Sequence, residues 1–78
     1  MRIDKFLKMS RVIKRRSVAN DVVDAGRVWV NGKLVKPSFD IKVGDIVEIQ
    51  FGDKISKFEI LSIPKVQNEG IENIIKLI

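Results

Sequence analysis

Seventy-eight residues, 45% of them hydrophobic and with only five Gly and two Pro, suffice for one small globular domain with a single core. The chain has neither Cys nor His, which excludes disulfides, the usual zinc sites, a thiol nucleophile and the commonest general base. The net charge of +5 is unevenly divided: residues 1–36 hold ten Lys and Arg against three Asp, while residues 37–78 hold five Lys against seven acids. A cationic half beside a slightly acidic one implies a polyanion approaching one face. No apolar run approaches the roughly 20 residues of a membrane span and no signal-peptide core follows Met1, so a cytoplasmic protein is expected.

Residues 2–10 read as a short first helix. At about 100° per residue, Ile3, Phe6 and Leu7 share one face, and Asp4, Lys5, Lys8 and Arg11 are expected on the other, with Arg2 at the flank. A helix this short is not stable alone, so Phe6 and Leu7 must dock on something.

A second helix is expected near residues 15–25, with Val18, Ala19, Val22 and Val23 as its apolar stripe and Ser17 as a candidate cap. Gly26 ends it as a residue able to take a left-handed conformation. Arg16 and Asn20, four apart, project together on the polar side, with Asp21 and Asp24 further round.

Lys14, Arg15 and Arg16 precede or open this helix, at the positive end of its dipole. Each exposed cation there is unfavourable by a few tenths of a kcal/mol. The same arrangement, three cations beside unpaired N–H groups, makes a phosphate cradle.

Residues 27–30 alternate as a strand with Val28 and Val30 inward, and Asn31-Gly32 is a strong signal for a type I′ hairpin returning through Leu34 and Val35. Trp29 points the other way and is read as packing rather than base stacking. Lys36-Pro37-Ser38 forms a bend. Further strands are expected over Ile46–Phe51 and Ile55–Ile63, joined by a turn at Gly52-Asp53-Lys54. A polar link over 65–70 leads to the Ile-rich segment 71–78, whose β-branched content favours a last strand.

RIDKFL at residues 2–7, KRRSVANDVVDAGRVWVNGKLVKPS at 14–38 and VGDIVEI at 43–49 together resemble the ribosomal-protein S-four type RNA-binding domain, also called the alpha-L motif, over roughly residues 1–52. Gly26, Val28, Val30, Asn31 and Gly32 match that family's G-x-V-x-V-N-G turn. Arg16 matches its basic residue before the second helix's Ala, and Arg2 and Lys5 match its first-helix basic positions. Two departures stand out. Arg15 occupies a position often held by a small capping residue, and Asn20 one where a second basic residue is frequent.

The resemblance implies an α+β fold in which two short N-terminal helices pack on a small, mostly antiparallel sheet. It sets an S-four-like domain over residues 1–64 and a C-terminal extension over 65–78. Length, start and the spacing of the basic triplet resemble stand-alone, ribosome-associated members, those of ribosome quality control more than the heat-shock-induced ones. Such members imply large-subunit rRNA and peptidyl-tRNA as partners, with other ribosome-bound quality-control factors nearby.

The site expected on these grounds comprises Arg2, Lys5, Arg11, Lys14, Arg15, Arg16, Asn20, Arg27 and Lys36. No cofactor, metal, membrane or small-molecule substrate is expected, and the chain should act as a monomer. Ser10 and Ser17 lack a histidine partner, so an enzyme is not expected. Two rivals stay open: a protein-binding adaptor using Trp29 and the acidic half, and a DNA-binding helix-turn-helix, which the two acids of helix two disfavour.

Overall fold

Two helices precede five strands, in the order α1 (Ile3–Met9), α2 (Arg16–Asp24), β1 (Val28–Val30), β2 (Lys33–Leu34), β3 (Ile46–Phe51), β4 (Lys54–Ile60) and β5 (Ile75–Leu77). The computed structural model describes residues 1–64 and 73–78. All strand pairings are antiparallel, in the order β2-β1-β3-β4-β5. The architecture is thus the α+β arrangement expected: a helix pair on one antiparallel sheet.

Period-2 alternation sends Val28 and Val30 of β1, Val47 and Ile49 of β3, and Phe58 and Ile60 of β4 to one face. Ile3, Phe6 and Leu7 of α1 and Ala19 and Val23 of α2 belong to the same buried cluster. At its centre the rings of Phe6 and Phe58 lie 6.5 Å apart at 22°. This contact is what the short first helix docks on.

The turn between α2 and β1 is a Schellman closure. Gly26 has φ 77°, its N–H donates to the Val23 carbonyl at 3.1 Å, and the Arg27 N–H donates to that of Val22 at 3.4 Å. In the hairpin that follows, Asn31 and Gly32 both have positive φ, 52° and 82°, as a type I′ turn requires.

Asn31 does more than turn the chain. Its amide donates to the Asp45 carboxylate at 3.1 Å and its side-chain oxygen accepts from the Ile46 N–H at 3.0 Å, latching the hairpin to the start of β3. Asn31→Ala keeps the strained φ and loses both bonds, so it should cost about 1–2 kcal/mol in urea unfolding. Asn31→Gly, which relieves the backbone only, should fall between it and the parent. Equal stability of Asn31→Ala and the parent would contradict this account.

Several sequence expectations need correction. Ser17 lies inside α2 rather than capping it; the capping position is Arg15, extended at φ −124°, ψ 137°, and no side chain caps the helix. Val18 is 45% exposed, because it sits about 100° round the helix from Ala19, past Val22 at the stripe's edge. Strand β4 stops at Ile60 rather than Ile63. There the N–H groups of Leu61 and Ser62 turn to the Ile74 carbonyl, at 2.7 and 3.3 Å.

The last strand is the three residues Ile75–Leu77, with Ile74 buried ahead of it. The polar link expected over 65–70, and residues 71–72 of the Ile-rich segment, lie outside the described residues. No helix among the described residues is long and apolar enough to cross a membrane.

Candidate nucleic-acid interface

The N-terminal segment is fixed by main-chain bonds before any side chain acts. Ile3 donates its N–H to the Phe39 carbonyl at 2.8 Å, Ile41 donates to that of Met1 at 2.9 Å, and Arg2 forms a bridge with Asp40. Arg2 therefore has a defined backbone position just ahead of α1, and Asp4 sits in the helix's first turn.

Asp4 overturns the sequence expectation. It is buried, 2% exposed, not on the solvent face opposite Ile3 and Leu7. The helical angle explains this: Asp4 lies roughly 60° from Leu7, on the flank of the stripe, whereas Lys5 lies behind it. The matching flank of α2 carries Arg16 and Asn20, beside Val23. Packing α1 against α2 brings the two flanks together.

The carboxylate is the meeting point. Arg2 donates from Nε to Oδ1 at 3.2 Å and from Nη2 to Oδ2 at 3.1 Å. The Lys5 N–H donates to Oδ1 at 2.8 Å, and the Asn20 amide donates to Oδ2 at 3.2 Å. Arg16 Nη2 stands 3.7 Å from Oδ1, an ion-pair distance rather than a hydrogen bond.

Burial alone would raise the Asp4 pKa. The hydrogen bonds from Asn20, the Lys5 N–H and Arg2, with the Arg16 charge, outweigh it and hold the carboxyl below its ordinary range. These contacts thus contribute stability that is complete above the ordinary Asp pKa and fades as pH falls through the depressed value.

Of the nine expected site residues, the structure brings three, Arg2, Arg16 and Asn20, around one carboxylate. The side chains of Arg2 and Arg16 remain 49% exposed there. Lys5, Arg11, Lys14, Arg15, Arg27 and Lys36 are exposed. Lys14, Arg15 and Arg16 surround the uncapped first turn of α2, where the helix dipole adds to their field.

Arg11 occupies a left-handed conformation, φ 63°, in the link between the helices. Arg27 leaves the Schellman turn, its carbonyl accepting from the Gln50 N–H at 2.9 Å, and the Lys36 carbonyl accepts from the Phe39 N–H at 3.0 Å. Trp29 is half-buried on the outer face of the sheet, opposite Leu34 and Glu48 in register, and away from Val28 and Val30.

The residue missed by the sequence reading is Asp4. Its signal was present: an acid two residues after Arg2, beside rather than opposite an apolar stripe. Among the described residues no group of three or more His, Cys, Asp or Glu is placed to hold a metal ion.

Comparison with known proteins agrees with this fold. Over 61 residues the chain is 57% identical to a Streptococcus pneumoniae protein named RQC P-site tRNA stabilizing factor, covering 78% of this chain and 69% of that one. A Helicobacter pylori protein of the same name is 43% identical over 68 residues, covering 87% and 81%. The trimeric structure of Vibrio cholerae heat shock protein 15 matches with a TM-score of 0.90 and 26% identity, over 100% of this chain and 81% of that one. Residues 1–47 match the S4 domain family, and with the helix pair and sheet in the same arrangement as a solved relative, the chain belongs to that family.

Proposed function

We propose that this chain is a non-enzymatic RNA-binding factor of the large ribosomal subunit, acting on rRNA and P-site tRNA during rescue of stalled nascent chains. The observation that carries the reading is the pair of half-exposed guanidiniums, Arg2 and Arg16, held at one carboxylate beside the uncapped, cation-rich start of α2. Guanidiniums donate in a fork that matches phosphate oxygens, and an open helix N-terminus adds N–H donors and positive potential. The name of the 57%-identical relative, RQC P-site tRNA stabilizing factor, supports P-site tRNA as the target.

In this reading the two helices form the RNA-facing surface and the protein recognises shape. Lys5, Arg11, Lys14, Arg15, Arg27 and Lys36 neutralise backbone phosphates around the Arg2–Arg16 centre, while Asn20 contributes at the edge. The chain acts as a single copy in the cytoplasm. Other quality-control factors bound to the same subunit are its neighbours rather than its substrates.

The test is co-sedimentation with purified large subunits carrying peptidyl-tRNA. Arg16→Ala should weaken binding by about five- to tenfold, the loss of one charge-assisted phosphate contact. Its melting temperature should stay within about 2 °C, since a half-exposed ion pair contributes little to folding. Unchanged co-sedimentation of Arg16→Ala would sink the assignment.

A further inference from the structure

We propose that Asp4 is a positioning residue for RNA: its buried carboxylate locks Arg2 and Arg16 into a preset pair, giving up one unit of positive charge to gain geometry. The inference rests on the RNA-binding reading above and deepens it.

The placement is odd for a residue serving the fold alone. Asp4 is the one buried charged residue among those described. A buried charge is costly unless fully partnered, and an apolar residue of similar size often serves stability as well. Asp4 also sits inside the half of the chain where an acid subtracts most from affinity for a polyanion.

What it gains is order. Both carboxylate oxygens are used, and their side-chain partners come from three separate points of the chain: Arg2 ahead of α1, and Arg16 and Asn20 on α2. Two guanidiniums this close would otherwise repel and splay. An arginine side chain is rotamer-rich, and freezing each such chain on binding ordinarily weakens affinity several-fold.

The carboxylate orders Arg2 in the free protein. Arg2 donates only Nε–H and one Nη2–H to it, which leaves the rest of its fork for a ligand. Arg16, held at 3.7 Å, is drawn in by charge without committing a donor. The result is a pair of phosphate-binding edges that belong to different elements yet keep a fixed separation.

Asp4→Asn separates geometry from charge, because it adds one unit of net positive charge while weakening the lock. Binding is compared for purified large ribosomal subunits and for a single-stranded poly-U oligonucleotide, alongside a thermal melt. The expected result is about tenfold weaker binding to subunits, with poly-U bound equally well or more tightly.

Subunit binding that is unchanged or tighter overturns the proposal, since charge alone then decides. So does an equal loss on both probes. A parent chain that does not bind subunits removes the functional reading itself, an outcome distinct from the first two because it needs no variant. If Asp4→Asn fails to fold, relaxation of the arginine Nε–H groups in the parent chain decides. Arg2 and Arg16 should be markedly more ordered than Arg15 and Arg27, and equal mobility of all four overturns the proposal.

Discussion

Phe6→Ala should lower the melting temperature by roughly 15–30 °C, among the largest stability effects expected of a single truncation among the described residues. Phe6 is fully buried and stacks on Phe58, so its removal loses both transfer free energy and the filling of a central cavity. Truncations of this type cost about 3–5 kcal/mol. A domain of this size has only roughly 4–12 kcal/mol in total, and each kcal/mol is worth about 4–8 °C. Circular dichroism melts give the number directly. Val18→Ala is the control: periodicity alone assigns Val18 to the buried stripe, but it is 45% exposed and should cost less than about 1 kcal/mol. A Phe6→Ala loss as small as that of Val18→Ala would show that the first helix is not held by this contact.

The largest effect on binding is expected from reversing two charges that the fold does not use. Lys14 and Arg15 are exposed at the start of α2, and neither contacts Asp4. Acids at a helix N-terminus are favourable by about 0.3–1 kcal/mol each, so Lys14→Glu/Arg15→Glu should leave stability equal or slightly raised. Under the proposed function, binding to large subunits should nevertheless fall by roughly a hundredfold or more, because two proposed phosphate contacts become two repulsions. The slope of log affinity against log salt should also shrink by about one to two, at 0.7–0.9 per phosphate. Opposite signs for stability and binding in one protein are hard to obtain by accident. A double variant that binds like the parent would move the interface away from α2.

The sequence made some positions plain because their backbone chemistry is unusual. Gly26 and Asn31-Gly32 announce left-handed conformations, and the structure puts a Schellman closure and a type I′ turn there. The alternation of Val47 and Ile49 and the triplet Ile3, Phe6 and Leu7 were equally readable from period, whereas Phe51, next in that alternation, is 42% exposed at the end of β3.

What stayed hidden depends on packing between elements. Asp4 lies on a helix flank, and only the approach of α2 decides whether that flank is wet or dry. The end of β4 depends on Ile74, a residue far along the chain, offering its carbonyl to Leu61 and Ser62. Composition could enumerate the cations of the first half, but not that Arg2 and Arg16 meet at one carboxylate. Ser17 was misread as the cap for a related reason: local rules place an acceptor at a helix start, and here the capping position holds Arg15 instead.

The contact between Phe6 and Phe58 also sets an order of events during synthesis. The cationic half leaves the ribosome first, but its opening helix lacks its central ring partner until β4 has emerged. Until then Arg2 and Asp4 lie at the start of a short helix whose docking on the sheet is incomplete. A chain ending before β4 therefore carries eleven of the fifteen Lys and Arg but lacks the strand that completes the core under α1. The hydrophobic core closes over α1 only when β4 is in place.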